Sequence, residues 1–188
     1  MTENRGSTAL LMMDVQNVIV SRYAPEEEML DPFRRALDAA RSHGIPVIFV
    51  RVGFRPDAVN VSSRNKMFGR LVGMPDHPQA EQGAQIHASL NARSDEPVVT
   101  KVRVSAFAGS DLEVLLRSQG IDTLILSGIA TSGVVLSTLR EAADKDYKLT
   151  VLSDACIDSD PDVHRILIEK IFPVQADVQT VDEWTNKL

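Results

Sequence analysis

The chain has a single cysteine, Cys156. One thiol closes no internal disulfide, and without a Cys-x-x-Cys pair or a Cys/His cluster no structural zinc is expected. The four histidines, His43, His77, His87 and His164, form no His-x-His or His-Glu-x-x-His pattern, so no metal and no cofactor is expected either. Surplus positive charge is also missing. Lys and Arg number 20 against 26 Asp and Glu, a net charge of −6, which repels nucleic acid and anionic membranes rather than recruiting them. The apolar runs, such as 10–13 and 124–126, fall far short of the roughly 20 residues that span a bilayer. Residues 1–8 contain Glu3, Asn4 and Arg5 and lack the build of a signal peptide. These absences point to a cytoplasmic protein acting on a small molecule, with no nucleic-acid or membrane partner.

What is present is ordinary for a globular protein: 188 residues, 44% hydrophobic and 24% charged. That predicts one domain over 1–188. Short apolar runs at 8–15, 47–50, 98–100, 123–126, 149–152 and 174–178 read as strands buried on both faces. Helical patterns lie between them. Asp31 and Pro32 read as an N-cap and first-turn pair, Phe33, Ala36, Leu37 and Ala40 as the buried stripe, and residues 43–46 as the stop. Ser110 to Glu113 reads as a capping box, with Leu112, Leu115 and Leu116 facing the core and Gly120 ending the helix. Asp160 and Pro161 repeat the start signal ahead of Val163, Leu167 and Ile171. This alternation predicts an α/β domain of three αβα layers, Rossmann-like, with a mainly parallel sheet of about six strands. The long irregular segment 53–93, with a short helix near 64–72, reads as a substrate-covering loop. Residues 181–188 close with a helical turn containing Trp184.

In such sheets ligands bind beyond the carboxyl ends of the strands. Three of those ends carry chemistry: Asp14, Lys101, and the turn 127–133. Burial behind the apolar residues 9–13 raises the pKa of Asp14, while a nearby ammonium lowers it. Read singly, Asp14 is a strand-ending turn residue and Lys101 a solvated surface lysine. The pair becomes functional only if the fold brings the two together. Gly128 and Gly133 have the Gly-x-x-x-x-Gly spacing of a phosphate loop, but Val134 and Val135 stand where Lys and Ser or Thr are required. Ser132 lacks the flanking glycines of a nucleophile elbow. The turn either offers backbone N–H groups to an anion at the start of a helix whose buried face is Val135, Leu139 and Ala142, or is merely capped by Ser132 and Gly133.

Four segments together resemble the isochorismatase-like hydrolases, also called the cysteine hydrolase superfamily. They are Leu-Met-Met-Asp-Val-Gln-Asn at 11–17, Lys-Val-Arg-Val-Ser-Ala-Phe at 101–107, Gly-Ile-Ala-Thr-Ser-Gly-Val-Val-Leu-Ser-Thr at 128–138, and Ser-Asp-Ala-Cys at 153–156. The resemblance covers residues 10–178. It implies an active site of Asp, Lys and Cys, with Asp14 and Lys101 in the first two roles. The thiol position of the pattern Gly-x-x-Thr-x-x-Cys, counted from Thr131, is assigned to Gly133, so the nucleophile is missing. Cys156 belongs to a different segment, after the fifth strand, and reads as a small buried thiol.

The resemblance also supplies a chemistry without sulfur, because the true isochorismatases lack that cysteine. They hydrolyse a vinyl ether by protonation, and Asp14 is then the acid while Lys101 stabilises charge. Gly133 makes room for a carboxylate, and Ile129, Ala130, Thr131 and Ser132 contact the substrate, with the Ile129–Ala130 peptide expected to be cis. Arg51, Arg55 and Arg103 are the candidate partners for an anionic substrate. A homodimer or homotetramer is implied as well. Two other readings stay open: a C–N hydrolase using water or Ser132, and a non-catalytic metabolite-binding descendant.

Overall fold

In the computed structural model, which describes residues 7–55, 59–71 and 78–188, the six apolar runs become six strands. These are β1 (Ser7–Met13), β2 (Val47–Val52), β3 (Val98–Lys101), β4 (Ile121–Ile129), β5 (Lys148–Ile157) and β6 (Asp177–Gln179). They form one sheet in the order β3-β2-β1-β4-β5-β6, with every neighbouring pair parallel. The order reverses direction between β1 and β4, so the carboxyl ends of these two strands flank the switch point where doubly wound sheets open a crevice.

Helices cover both faces. On one face α4 (Leu112–Ser118) and α5 (Leu136–Asp144) pack Leu112, Leu116, Leu139 and Ala142 onto Leu11, Met13, Leu124 and Leu126. On the other, α1 (Asn17–Tyr23) and α2 (Asp31–Ser42) set Val20, Phe33, Ala36, Leu37 and Ala40 against Leu10, Met12, Phe49 and Ile125. Full burial of a side chain the size of Leu or Phe contributes about 1.5–3 kcal/mol, so these two layers hold the sheet between them. Trp184, on α7 (Val181–Thr185), joins the second layer, and a capping box between Thr180 and Glu183 starts that helix. No helix among the described residues is long and apolar enough to cross a membrane.

Several local expectations shift. Asp31 is not the N-cap of α2 but its first residue, following a 3-10 turn at Glu27–Leu30, and its carboxylate takes Arg34 instead. The capping box at Ser110 to Glu113 does not form, because Ser110 Oγ takes the Leu112 N–H and Asp111 is turned out of cap geometry. Asp160 does cap α6 (Pro161–Ile166), accepting from Asp162 and Val163, but Val163 faces outward and Leu167 is the residue that is buried. The sixth strand begins at Asp177, since Phe172–Val174 forms a 3-10 turn around Pro173. In the described part of the long segment, only Gly69–Leu71 near the expected 64–72 helix is helical, and α3 (Pro78–Gly83) follows. The remainder of that expected helix, Val72, lies outside the described residues.

Candidate active site

The site grows from the close approach of β1 and β4. Met13 pairs with Gly128, and a Cβ on Gly128 would stand 2.5 Å from the Met13 carbonyl oxygen, so only glycine lets the strands meet there. The chain then turns sharply at Asp14, whose φ of 57° lies in the left-handed region. Asp tolerates that conformation better than most residues, and strain of this kind gathers at functional sites. The Asp14 N–H still donates to Val50 O at 2.8 Å, closing the ladder to β2 while the side chain is re-aimed.

Lys101 ends β3, the edge strand, and its long stem carries the ammonium across the end of β2 to Asp14. Nζ lies 2.9 Å from Asp14 Oδ2, with side-chain exposures of 2% and 8%, too little for water to solvate either charge. A second ammonium proton goes to Arg103 O at 2.9 Å. The other carboxylate oxygen, Asp14 Oδ1, is buried and has no hydrogen-bond partner among the described residues. Burial pushes the Asp14 pKa up, Lys101 pulls it down, and burial prevails, leaving it at about 6. The result is a carboxyl group that exchanges its proton near neutral pH with one oxygen unspent.

Gln16 fastens the surroundings. Its Nε2 donates to Val52 O at 3.0 Å and Ala84 O at 2.9 Å, and its Oε1 accepts the Val52 N–H at 2.8 Å. Asn17 Nδ2 donates to Gln82 O at 2.9 Å, and His87 N donates to Val15 O at 2.9 Å. The return leg of the long 53–93 segment is therefore tied beside Asp14. Gln16 was legible only as a letter of the Asp-Val-Gln-Asn motif; no spacing rule marks a buried amide as a clamp.

The peptide Ile129–Ala130 is cis, as the resemblance implied. Beyond it, residues Thr131–Val135 form a wide turn leading into α5. The turn is not capped by Ser132 or Gly133. Asp158, at the end of β5, accepts the Ser132 N–H at 2.7 Å; burial pushes its carboxyl up, but the bonds from Ser132 and the following backbone outweigh this and hold it below the usual range. Thr131 is buried, and its Oγ1 lies 2.8 Å from Nδ1 of His164 on α6. Asp158 and His164 carried no signal in the sequence, because both belong to a segment that meets the turn only through the β4–β5 pairing.

The thiol position moves by one residue. Laid on Gly128 and Thr131, the pattern Gly-x-x-Thr-x-x-Cys puts its cysteine on Val134, with Gly133 just before it. Val134 is buried in the apolar layer beneath the turn. Gly133 keeps open space beside it, since a Cβ there would touch only Ala130 Cβ at 3.8 Å. No sulfur stands at either residue. Cys156 lies within β5 rather than after it, opposite Gly128. Burial raises its thiol to about 12 against a bond from Gly128, which makes it inert as a nucleophile.

The three arginines separate. Arg103 is spent on the carbonyls of Val102 at 2.6 Å and Asn60 at 3.1 Å. Arg51 lies within β2 and not beyond it, and its Nε donates to Thr100 Oγ1 at 3.1 Å. Arg55 is exposed past the end of β2.

Residues 8–183 match the family model described as the isochorismatase domain. The isochorismatase family protein YecD of Escherichia coli O157:H7 is 33% identical over 98% of both chains. The ureidoacrylate amidohydrolase RutB of Pseudomonas savastanoi pv. phaseolicola is 32% identical, covering 84% of this chain and 73% of its own. Among solved structures, an isochorismatase family protein from Burkholderia thailandensis superposes with a TM-score of 0.83 at 30% identity, covering 97% of this chain and 96% of its own. The chain belongs to the isochorismatase family, and with it to the hydrolases.

Proposed function

We propose that this protein is a thiol-independent hydrolase of a small anionic vinyl ether of the enolpyruvyl type, such as isochorismate, with Asp14 as its acid. The observation that carries the reading is the Asp14 carboxyl, held near pKa 6 with a free buried oxygen, in a site whose thiol position holds Val134. A site with a poised proton and no nucleophile suits reactions that begin with protonation.

Protonated Asp14 gives its proton to the terminal carbon of the enolpyruvyl group, and the C=C electron pair forms the new C–H bond. The ether carbon becomes an oxocarbenium centre, water adds to it, and the proton lost by that water returns to Asp14. The hemiketal then gives up its hydroxyl proton as the C=O of pyruvate forms, and the departing ether oxygen takes a proton as its C–O bond breaks, releasing the dihydrodiol. Lys101 stabilises the Asp14 carboxylate left by the first step. Gly133 makes room for the pyruvyl carboxylate beside the Ala130 peptide, the Ser132 and Gly133 N–H groups being engaged by Asp158 and Ala130 O, and Arg51 and Arg55 are the cations open to the second one, since Arg103 is engaged with carbonyls. The working protein is a cytoplasmic homodimer or homotetramer, a state checked by light scattering of the purified chain.

The test is pyruvate release from isochorismate in a coupled NADH assay. Release that disappears in Asp14→Asn and persists in Cys156→Ala supports the reading; no release removes this substrate. A second reading is favoured by the 32% identity to a ureidoacrylate amidohydrolase: Asp14 as base on a water attacking a ureido or amide carbon. Ammonia release from ureido and carbamoyl compounds, in place of pyruvate release, selects it.

A further inference from the structure

Helix α6 buries none of its own side chains. Its side-chain hydrogen bond to the active-site turn is the one between His164 Nδ1 and Thr131 Oγ1 at 2.8 Å. Thr131 is fully buried, and among the described residues its hydroxyl has no other partner. A buried hydroxyl proton needs an acceptor, and the acceptor within reach is the lone pair on Nδ1 of a neutral imidazole. The neutral ring then carries its own proton on Nε2.

We propose that His164 is a positioning residue for the active-site turn, fixing the Thr131 hydroxyl as a donor to Nδ1 when the ring is neutral and reversing that bond when the ring is protonated. In the neutral state the hydroxyl proton is held by His164, and the buried Thr131 ties the turn to α6. Once Nδ1 is protonated it becomes the donor, the hydroxyl proton swings away from His164, and it is left without an acceptor among the described residues.

The charged environment keeps the ring in its first state at neutral pH. Burial lowers the His164 pKa, and the nearby Asp158 carboxylate opposes this without cancelling it. The other titratable groups around it are Asp160 ahead of α6, Asp162 and Arg165 on it, and Glu169 and Lys170 on the following turn. Residues 131–135 bring none. Asp158 serves both halves of the grip, since it also holds the Ser132 N–H.

The inference rests on the proposed function only for its catalytic consequence, so its first test needs no substrate. Nitrogen-15 NMR of the histidine rings across a pH titration, on the full chain, reads both the tautomer and the midpoint of His164, assigned by the signal lost in His164→Asn. The expected result is a neutral ring protonated on Nε2, with a midpoint that moves in Thr131→Val, because the hydroxyl bonds the ring differently in its two states. A neutral ring protonated on Nδ1, or a midpoint unmoved by Thr131→Val, overturns the proposal. In the enzymatic arm His164→Ala lowers kcat/KM about tenfold, the worth of one hydrogen bond. His164→Asn, whose amide oxygen can accept near the place of Nδ1, restores it and flattens the acid side of the pH profile. Full activity in His164→Ala overturns the positioning role. Absence of pyruvate release removes the proposed reaction, while the NMR result still decides the hydrogen bond.

Discussion

Among the described residues two ion pairs are buried, and they are built for opposite ends. Arg41 and Glu96 meet at the amino edge of the sheet, each side chain 8% exposed, with Nε and Nη2 of the guanidinium on the two carboxylate oxygens at 2.7 and 2.8 Å. The Arg93 N–H adds a third bond to Glu96 at 2.8 Å, and Arg41 also reaches Asn91 O at 3.0 Å. Burial pushes Glu96 up, but these donors more than offset it and hold the carboxyl below its usual range. Asp14 and Lys101 at the carboxyl edge are just as buried, yet one carboxylate oxygen has no partner and burial prevails. A satisfied pair fastens α2 to the loop before β3; an unsatisfied one keeps a proton available.

The largest effect separating the pairs is on turnover. Asp14→Asn removes the transferable proton and lowers kcat by about 100-fold or more, as loss of a general acid does; Arg41→Ala leaves turnover per folded molecule unchanged. Stability reverses the ranking of interest. Arg41→Ala strands Glu96 in a buried position and destabilises by about 3–5 kcal/mol, read from urea unfolding.

The pH dependence of stability distinguishes them by sign. Asp14 is raised above its ordinary 3.8 to about 6, so the folded state holds a proton that the unfolded chain has released between these values. Its contribution to stability grows as pH falls through about 6 and fades as pH rises again. Glu96 is lowered below 4.5, so its contribution is present above that value and is lost as pH falls through the folded pKa. Unfolding measured from pH 7 to 4 should show wild type gaining stability relative to Asp14→Asn on acidification. Equal slopes would mean that Lys101 compensates the burial of Asp14. On the catalytic side, kcat/KM falls as pH rises above about 6, where Asp14 gives up its proton. The smallest effect is at Cys156: Cys156→Ala costs about 1 kcal/mol of stability and leaves turnover unchanged.

Much of the fold was legible because a strand buried on both faces must be a short apolar run, and residues 8–15 and 47–50 are such runs, whereas 98–100 forms an edge strand with Val98 and Thr100 exposed. The extension of β4 to Ile129 and of β5 to Ile157 was not, because a register shift between Leu126 and Gly128 brings Cys156 rather than a near neighbour of Val151 opposite Gly128. Expected caps failed where a neighbour supplied the bond first, as Ser110 does for Leu112. In the site, Asp14 and Lys101 were visible as residues of interest at strand ends. Gln16, Asp158 and His164 were not, since each acts on a backbone or hydroxyl group distant in the chain.

The sequence by itself determined the alternation of strands and helices, the glycine needed where β1 and β4 meet, and the lack of sulfur at the turn after β4. These follow from local chemistry: side-chain polarity, the missing Cβ of glycine, and the identity of Val134. Tertiary structure decided that Lys101 crosses β2 to reach Asp14, that burial outweighs the ammonium in setting the carboxyl near 6, and that Arg103 is spent on carbonyls while Arg51 and Arg55 are not. Those outcomes depend on strand order and on how much water each group keeps, and both exist only once the sheet is wound.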